Sequence, residues 1–369
     1  MTPKTRVLNV ALRSRDRSVM ETGNAIIEPD DVVLVTGAAG FIGLRVVDCL
    51  LRLGYRNVRC MARPSADGRK LEEVVRGRGA VEVMRGNLLS REDCARAVRG
   101  VRVIYHLAAG RSDMFADAFM NSVVTTRNLL RAIWEYGCLK RFVNVSSFSV
   151  YSNRNKAHRR VLDESCPIET EPAERSDPYM FGKTRQDEIV VEYGEKYHIP
   201  YVTVRPGYVY GPGNETITNR VGIGTFGVFL HLGGSNTIPL TYVDNCAEAI
   251  VLAGLRAGVD GEVFNVVDDD LPSSRLFLRL YKRNVRRFTS IYVPHAASYL
   301  LCCLWEKYSH WSEGQLPPTF NWRGWHAFWK RTRYTNAKLK QRLGWRPRVP
   351  TAEALSVYFE SCRERARRA

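Results

Sequence analysis

The sequence predicts an α/β fold: a doubly wound parallel sheet with a smaller, mainly C-terminal lobe beside it. Short β-branched runs recur along the chain, helix-length segments separate most of them, and a glycine-rich turn follows the first run. Buried strands that alternate with helices form parallel sheets whose two faces are covered by those helices. The runs are Val32–Val35, Val58–Met61, Val81–Met84, Val101–Leu107, Arg141–Val145, Tyr201–Val204 and Glu262–Val267.

The segments outside this alternation define the rest of the organisation. The 369 residues are enough for two domains of ~150 residues each. Residues 1–30 are rich in arginine and lack a sustained period, so we interpret them as a mobile basic tail. We assign residues 31–205 and 240–270 to the sheet domain. The glycine-rich residues 206–239 and the basic, aromatic residues 271–369 are assigned to the lobe and a C-terminal segment.

The composition excludes several classes of protein. With 45% hydrophobic and 25% charged residues, the chain is neither disordered nor fibrous. Its longest apolar stretch, Ile291–Trp305, contains Pro294 and His295 and is shorter than the ~20 residues that span a bilayer. Nine scattered cysteines without a CxxC pair indicate reduced thiols, with neither a disulfide framework nor a metal site. Because an apolar signal core is also missing, we expect a cytoplasmic protein.

The net charge of +17 is concentrated near the C-terminus. From Leu271 to Ala369 there are 20 Lys/Arg against five Glu and no Asp, which is 15 of the 17 charges. Six of the seven tryptophans lie between Trp305 and Trp345. A solvated basic surface over an aromatic core explains the charge and the tryptophans, and the sharper alternative is a surface that contacts an anionic membrane or an acidic partner. We expect no nucleic-acid partner, because no DNA- or RNA-binding motif accompanies the charge.

A glycine turn joins the first strand to the first helix. Gly37, Gly40 and Gly43 are spaced three apart directly after Val32–Thr36. The first glycine permits a tight turn, the second lets the backbone approach a pyrophosphate, and the third lets the helix pack closely on the strand. The phosphates then lie at the helix N-terminus, where free N–H groups favour an anion. The turn therefore predicts a dinucleotide-binding site.

The end of the second strand favours NADP over NAD. NAD-binding proteins usually carry an acidic residue there, which holds the ribose hydroxyls. In this chain Ala62 occupies that position and Arg63 follows it. An arginine suits the 2′-phosphate of NADP, and a plain surface arginine is the alternative interpretation.

Two further segments predict proton-transfer chemistry. Asp177 and Pro178 favour a helix start, and the spacing of four places Tyr179 and Lys183 on one face of that helix. A nearby ammonium favours the phenolate and lowers the pKa of a tyrosine from its usual value near 10. Ser147 follows the strand Arg141–Val145, where it could hydrogen-bond a reacting oxygen.

Together these segments resemble the extended short-chain dehydrogenase/reductases, also called the NAD-dependent epimerase/dehydratase family. The resemblance extends from about Val32 to Glu360 and implies a Rossmann-type fold with nicotinamide redox chemistry. The motifs that carry it are Thr36–Gly43, Gly86–Leu88, His106–Ala109, Val145–Ser147, Tyr179 with Lys183, Arg205–Pro212, Tyr242–Asn245 and Leu343–Pro347.

The resemblance also implies a role for individual residues. Ser147, Tyr179 and Lys183 match the family's catalytic triad. The helix asparagine of the family has no direct match, because Asn121 is one place off and Ser122 occupies its slot. The implied cofactor contacts are Gly37, Gly40, Phe41, Ile42, Gly43, Arg63, Asn87, Leu88, Ala108, Ala109, Tyr179, Lys183 and Pro206, and the implied substrate contacts are Ser147, Phe148 and Tyr208.

Departures from the family pattern narrow the substrate. Phe148 and Ser149 stand where dehydratases of the family carry Asp-Glu, and Tyr208 and Ile238 replace polar residues that nucleotide-sugar members use. The sequence is therefore most like the 3β-hydroxysteroid dehydrogenase and dihydroflavonol reductase-type branch. This branch implies that the lobe binds an apolar, steroid-, terpenoid- or lipid-like substrate. It also implies that the enzyme interconverts a secondary alcohol of that substrate and the corresponding ketone.

Two other functions stay open at this stage. A nucleotide-sugar epimerase would use the same three residues with a retained cofactor, and a non-catalytic NAD(P)-binding sensor or scaffold would not need them. Relatives of this kind are often homodimers, so a homodimer is the expected assembly.

Overall fold

The computed structural model describes residues 25–77, 81–110, 113–154, 161–225, 227–313, 315–316 and 318–368. Its strands are β1 (Val32–Thr36), β2 (Val58–Ala62), β3 (Val81–Arg85), β4 (Val101–His106), β5 (Arg141–Val145), β6 (Val161–Leu162), β7 (Tyr201–Pro206), β8 (Tyr208–Tyr210), β9 (Gly222–Thr225), β10 (Val228–His231), β11 (Leu240–Tyr242), β12 (Val263–Val266), β13 (Ser290–Tyr292) and β14 (Arg333–Tyr334).

The helices are α1 (Phe41–Arg52), α2 (Arg69–Val75), α3 (Arg91–Val98), α4 (Phe115–Ala118), α5 (Thr125–Tyr136), α6 (Pro178–Tyr197), α7 (Val243–Leu255), α8 (Ser274–Asn284), α9 (His295–Trp311), α10 (Trp322–Phe328), α11 (Ala337–Leu343) and α12 (Thr351–Arg368). A π-helical turn, Phe119–Val124, connects α4 to α5, and 3-10 turns cover Phe148–Val150 and Pro172–Arg175.

The seven predicted runs form one parallel sheet in the order β12-β7-β5-β4-β1-β2-β3. The predicted Rossmann-type α/β fold is thereby confirmed. The chain extends the sheet from β1 through β2 to β3 and then returns to place β4 on the other side of β1. Such a reversal of direction opens a crevice at the carboxyl ends of the two strands, which is where ligands bind in open parallel sheets.

The sheet separates two apolar cores. Successive side chains of a strand point to opposite faces, so Val33 and Val35 enter one core while Leu34 enters the other. The first core includes Val46 and Leu50 of α1, together with apolar residues of α7 and α11. Residues of α3, α5 and α6 cover the opposite face. Burial on both faces explains why these strands are almost continuously apolar.

The lobe consists of a three-stranded sheet, β13-β10-β9, with α8, α9 and α10. Trp329 is buried with Leu232 and Cys302 in a small core of its own. Helix α11 and Trp345, within the residues 271–369 assigned to the lobe and C-terminal segment, pack instead in the first core of the parallel sheet. Among the described residues, no helix combines the length and apolarity needed to cross a membrane.

The assigned tail overlaps the folded part of the chain at residues 25–30. Ile27 is buried against the sheet domain, and the Ile26 N–H donates to the Leu255 carbonyl at 2.9 Å. The carbonyl of Asp30 accepts a hydrogen bond from Asn57 at 2.6 Å. These contacts attach the six residues to the domain, and residues 1–24 lie outside the described residues.

The close approach of α1 to β1 yields a first prediction, for Gly43→Ala. A Cβ atom at Gly43 would meet the Gly37 carbonyl oxygen and would lie 2.9 Å from the Cα atom of Ala38, so the backbone of the turn must shift. Overpacking of this kind typically costs about 1–3 kcal/mol. Gly224→Ala is the matched control, because a Cβ there has no atom within 4 Å. Urea denaturation should show the loss only for Gly43→Ala, and equal stability of the two variants would contradict the close packing.

Candidate active site

A cavity of about 520 Å³ lies at the carboxyl ends of β1, β2, β4 and β5. It extends from the glycine turn to the first turns of α6. Its lining includes most of the predicted cofactor residues: Gly37, Gly40, Phe41, Ile42, Gly43, Arg63, Asn87, Leu88, Ala108, Ala109, Tyr179 and Lys183. Residues that the sequence analysis did not single out also line it: Thr36, Ala39, Met61, Ala62, Ala66, Asp67, Lys70, Gly86, Leu107, Asn121, Thr125, Val145 and Ser146.

The glycine turn has the conformation that an anion site requires. Gly37 has a φ of +69°, a left-handed conformation that L side chains rarely adopt, and its carbonyl accepts the Gly40 N–H at 2.9 Å. Gly40 then caps α1 without a side chain, and among the described residues no side chain accepts a hydrogen bond from the first N–H groups of this 12-residue helix. Uncapped N–H groups and the helix dipole favour a phosphate. The geometry of the turn thus fits a dinucleotide pyrophosphate.

A buried histidine supports the cavity wall beside this turn. Nδ1 of His106 lies 2.8 Å from the Thr36 hydroxyl, and Nε2 lies 2.9 Å from the Thr126 hydroxyl. The Thr126 hydroxyl donates to the Ser122 carbonyl, so it accepts from Nε2–H, and Nδ1 accepts from Thr36. Burial, and secondarily the charge of Lys183, lower the pKa of His106 to about 3. The neutral ring therefore holds β1 and β4 in register beside the Ala108 backbone.

Two cations line the cavity at the end of β2. Arg63 and Lys70 are exposed, and neither has a carboxylate within ion-pair distance in the described part of the chain. The carboxylate of Asp67, also on this wall, pairs instead with Arg69 at 2.8 Å, and these hydrogen bonds lower the Asp67 pKa to about 2. Lys70 could not be identified from sequence, because it lies seven residues beyond Arg63 in a segment without a motif. This end of the cavity therefore carries two available positive charges.

The neighbouring residues Asn87 and Leu88 form a rigid corner after β3. The Asn87 N–H donates to the Asp93 carboxylate at 2.8 Å, while its side-chain oxygen accepts the Leu89 N–H at 3.0 Å. Leu88 is nearly buried, and its carbonyl accepts a hydrogen bond from Asn128 at 3.1 Å. Asn87 and Leu88, both predicted as cofactor contacts, thus lie on the cavity wall, and side chains of α3 and α5 hold their backbone.

Helix α6 places Tyr179 and Lys183 at the opposite end of the cavity. The Asp177 carboxylate accepts the Met180 N–H at 3.0 Å, and Pro178 begins the helix, as the sequence predicts. The Lys183 ammonium is buried and donates to the Val145 carbonyl at 2.7 Å and to the Gln186 side-chain oxygen at 3.0 Å. These two hydrogen bonds fix the ammonium one helical turn from the Tyr179 phenol.

A buried polar network extends from Lys183 into the sheet. The Gln186 amide donates to Asn144 at 2.7 Å, and Asn144 in turn donates to the Asp187 carboxylate at 2.7 Å. Arg205 of β7 forms an ion pair with Asp187 at 3.1 Å, and both side chains are nearly inaccessible to solvent. The network therefore joins α6 to β5 and β7. The sequence analysis did not identify this network, although Gln186 and Asp187 lie only three and four residues after Lys183.

The two serines after β5 differ in their surroundings. Ser146 lines the cavity, but its hydroxyl donates to the Asp187 carboxylate at 2.8 Å. The Ser147 hydroxyl accepts the Ser149 N–H at 3.2 Å, and this contact leaves the hydroxyl proton available as a donor. Ser147 is therefore the serine whose hydroxyl retains a donor for a ligand, as its predicted role requires.

Ser147 and the other predicted contacts are not among the residues that line this cavity. The Phe148 ring is 3% exposed and stacks on Tyr334 at 5.7 Å, so the structure places it in a small core where the sequence analysis expected a substrate contact. The Tyr208 hydroxyl donates to the Thr216 carbonyl at 2.9 Å. Pro206 is buried at the carboxyl end of β7, beside β5 in the sheet. The resemblance implied a substrate contact for Phe148, but its ring packs with Tyr151 and Leu162 in this core.

A π-helical turn accounts for the one-place offset at Asn121. The turn Phe119–Val124 holds one extra residue relative to an α-helix, which rotates the following side chains around the helix axis. Asn121 consequently lines the cavity, while the Ser122 hydroxyl accepts the Gly110 N–H at 3.0 Å. A wide turn of this kind leaves no recognisable signal in the sequence.

Comparisons with known proteins agree with this geometry. Residues 33–266 match the family described as "Epimerase: NAD dependent epimerase/dehydratase family". Cinnamoyl-CoA reductase of Medicago truncatula is 27% identical over 63% of this chain and 74% of its own length. A 3β-hydroxysteroid dehydrogenase/decarboxylase of Arabidopsis thaliana is 27% identical over 64% of this chain and 56% of its length.

Other relatives act on nucleotide sugars. The trifunctional UDP-glucose 4,6-dehydratase/UDP-4-keto-6-deoxy-D-glucose 3,5-epimerase/UDP-4-keto-L-rhamnose-reductase of Arabidopsis thaliana is 27% identical over 63% of this chain, which spans 36% of that protein. Among solved structures, the UDP-glucuronic acid 4-epimerase of Bacillus cereus superposes with a TM-score of 0.66 at 20% identity, covering 90% of this chain and 99% of the epimerase. The UDP-glucose 4-epimerase of Thermotoga maritima gives 0.65 at 21% identity, with coverages of 90% and 99%.

The buried histidines predict acid sensitivity of the fold. Burial lowers the pKa of His106 to about 3 and those of His231 and His326 to about 4. Below pH 6.5 the unfolded chain therefore binds more protons at these histidines than the folded protein does. Stability should therefore be fully present above pH 6.5 and fall as the pH drops toward 4, by up to ~1.4 kcal/mol per pH unit for each fully buried histidine. Asp268, whose pKa burial raises to about 6, acts in the opposite direction.

Urea denaturation at pH 7.5, 6 and 5 measures this slope. His106→Gln should flatten it, and His198→Gln, at an exposed position, is the matched control. Because Asp268 offsets part of the slope, the comparison is with the variant: the same pH slope in His106→Gln and in the wild type would contradict the neutral, buried state of His106.

Proposed function

Because the chain belongs to the NAD-dependent epimerase/dehydratase family, we propose that it is an NAD(P)-dependent oxidoreductase that interconverts a secondary alcohol and a ketone on an apolar, steroid-, terpenoid- or lipid-like substrate. One observation carries the proposal: a single cavity connects the glycine turn to Tyr179 and Lys183. A dinucleotide held at the turn extends toward α6, where the acid–base group lies.

The residues of this chain fit a bound dinucleotide. The uncapped start of α1 suits its pyrophosphate, and a Cβ at Gly37 would press against the Ala108 backbone nitrogen at 3.0 Å. When bound, the nicotinamide cofactor supplies or accepts the hydride. Lys183 would hold the nicotinamide ribose, as the resemblance implies.

The proton is moved by the side chains at the end of α6. The Tyr179 hydroxyl donates its proton to the substrate oxygen in reduction and accepts it in oxidation. The fixed ammonium of Lys183 stabilises the phenolate form of Tyr179. The Ser147 hydroxyl donates a hydrogen bond to the same substrate oxygen as negative charge develops there.

Two cations favour NADP as the cofactor. Ala62 leaves the end of β2 without the carboxylate that would hold the ribose hydroxyls of NAD. Arg63 and Lys70 line the cavity at this end, and a 2′-phosphate would accept hydrogen bonds from both. The proposal is therefore that NADP binds more tightly than NAD.

The two positions at which nucleotide-sugar members of the family carry polar anchors support an apolar substrate in this chain. Ile238, at a position where nucleotide-sugar members carry arginine, is 1% exposed in the core of the lobe. The Tyr208 hydroxyl, at another anchor position, is occupied by Thr216 at 2.9 Å. Neither position offers a charged anchor for a diphosphate. The relatives described as cinnamoyl-CoA reductase and 3β-hydroxysteroid dehydrogenase/decarboxylase point in the same direction.

A nucleotide-sugar epimerase is the second candidate, because the UDP-sugar dehydratase/epimerase/reductase of Arabidopsis is equally similar at 27% identity. The two functions differ in how the cofactor is used. An epimerase restores its cofactor in each turnover and retains it through purification, whereas a dehydrogenase consumes external NAD(P)H. Mass spectrometry of the purified protein together with NADPH consumption on a panel of steroid and terpenoid ketones distinguishes them.

The proton-transfer role predicts the effect of Tyr179→Phe. The substitution removes the hydroxyl and little volume, so NADPH binding should persist while NADPH-dependent ketone reduction falls by ~10²–10⁴-fold. Tyr136→Phe, at an exposed position on α5, is the matched control and should retain full activity. Ketone reduction by Tyr179→Phe within a few-fold of the wild type would refute the assignment.

The cofactor proposal predicts a selective loss in Arg63→Ala and Lys70→Ala. A hydrogen bond to a charged group contributes about 1.5–3 kcal/mol, so each variant should bind NADPH roughly 10- to 100-fold more weakly and bind NADH normally. Arg76→Ala, an exposed arginine at the end of α2, is the matched control. Fluorescence titration with both cofactors measures the effect, and equal losses for NADPH and NADH would show that the two cations do not contact a 2′-phosphate.

A further inference from the structure

Helix α9 exposes an apolar face to solvent. Leu300 and Leu301 are each 58% exposed, Leu304 is 53% exposed, and Trp311 is 77% exposed. Residues three and four apart share a helix face, so these side chains and Tyr308 form one continuous stripe, here called the α9 patch. Tyr308 and Trp311 stack with their ring centroids 5.6 Å apart, which extends the patch to the end of the helix.

The opposite face of α9 is unusually polar for a face that packs on a protein core. Its buried residues are Ser298, Cys302 and Ser309. The Ser298 hydroxyl accepts the Trp325 indole N–H at 2.9 Å, and the Ser309 hydroxyl donates to the Leu316 carbonyl at 2.5 Å. A surface helix of a globular protein normally directs its leucines inward and its polar residues outward. In α9 this arrangement is reversed. Exposing several large apolar side chains to water is unfavourable, so a partner that covers this face with apolar groups would stabilise it.

Positive charge accompanies the patch. Between Asp270 and Glu306 the chain carries no acidic residue and six basic ones, which lie on α8 and in the turn after it: Arg275, Arg279, Lys282, Arg283, Arg286 and Arg287. Among the described residues, none of the six has a carboxylate within ion-pair distance.

Two of the basic residues, Arg275 and Lys282, contact the strand that precedes α9. The Arg275 guanidinium lies over the exposed Tyr292 ring at 5.5 Å, and the Lys282 ammonium donates to Ser290 at 2.6 Å. Both contacts are made to β13, which ends three residues before α9 begins. The cations of α8 are thus anchored to the strand that leads into the patch.

We propose that the α9 patch docks into the interfacial region of an anionic lipid bilayer, with the basic residues of α8 contacting the lipid headgroups. Leucine side chains gain free energy by entering the acyl region, and tryptophan and tyrosine favour the boundary between headgroups and water. Lysine and arginine near an anionic surface add attraction. The 17-residue helix lies along the surface, because no described helix is long and apolar enough to span a membrane.

Docking through α9 would bring the lobe, and the segment before Tyr179, close to the lipid. Trp325 of α10 contacts Ser298 of α9, and the Asn321 side chain at the start of α10 donates to the Arg175 carbonyl at 2.9 Å. Arg175 lies two residues before Asp177, the N-cap of α6. The inference stands independently of the proposed reaction, since its test measures binding to lipid.

Flotation of the full chain with lipid vesicles tests the proposal. Vesicles of phosphatidylcholine with one quarter phosphatidylserine should bind the protein at low salt, and pure phosphatidylcholine should bind it much less. Raising the ionic strength to 0.5 M should release it, because screening shortens the range of the headgroup charge. Absence of binding to both vesicle types at low salt would overturn the proposal.

Matched variants separate the contribution of the apolar side chains of α9 from that of the basic residues of α8. Leu300→Ser with Leu304→Ser should reduce partitioning at least ten-fold, while Val357→Ser, an exposed apolar position on α12, should not. Arg279→Ala with Arg283→Ala should reduce it about five-fold per residue on anionic vesicles only, while Arg363→Ala with Arg367→Ala on α12 should have little effect. Circular dichroism verifies that each variant is folded.

Two further measurements exclude other occupants of the patch. Brominated phospholipid should quench the fluorescence of Trp311, seen as the difference from Trp311→Phe, whereas Trp134→Phe, which removes an exposed tryptophan of α5, should leave the quenching unchanged. Sedimentation without vesicles tests for a second copy of the chain. If Leu300→Ser with Leu304→Ser converts a dimer to a monomer, or binds vesicles as well as the wild type does, the patch is not a lipid-docking surface.

Discussion

The ion pair between Asp187 and Arg205 is the interaction on which the candidate active site depends. It lies inside the protein, at 3.1 Å, and its carboxylate also accepts hydrogen bonds from Asn144 and Ser146. Removing one partner of a buried pair typically costs roughly 3–5 kcal/mol, because the other charge is left without compensation. The pair therefore holds α6 against β5 and β7. Through Asn144 and Gln186 it also fixes the position of the Lys183 ammonium.

The order of the strands provides the second constraint. Since β1 and β4 are neighbours although the chain turns back between them, their carboxyl ends open into a crevice. His106, buried and neutral, bridges the two sides of this crevice through Thr36 and Thr126. The glycine turn and the first turns of α6 both line it, so one cavity brings together the uncapped start of α1 and the pair Tyr179 and Lys183.

Most of the fold could be predicted from the sequence, because the seven strands are buried on both faces and read as short apolar runs. The glycine turn, Tyr179 and Lys183 were predictable for a different reason: their spacing within one strand–turn–helix or one helix is local. Lys70 could not be found in this way because it lies in a segment without a motif, and Asp187 could not because its contacts are with distant segments, Asn144, Ser146 and Arg205. The cavity position of Asn121 could not be predicted because a π-helical turn leaves no sequence signal, and the core position of Phe148 depends on its packing against Tyr334, a residue distant in sequence.

The central claim is that the fixed ammonium of Lys183 activates Tyr179 within a cofactor-binding cavity. An ultraviolet difference titration of wild type against Tyr179→Phe, with oxidised NADP present, tests it most directly. The account predicts that one phenol ionises below the ordinary tyrosine pKa near 10 in the wild type only, and that Lys183→Met returns this pKa toward its ordinary value. Titration curves of wild type and Tyr179→Phe that coincide up to pH 10 would contradict it.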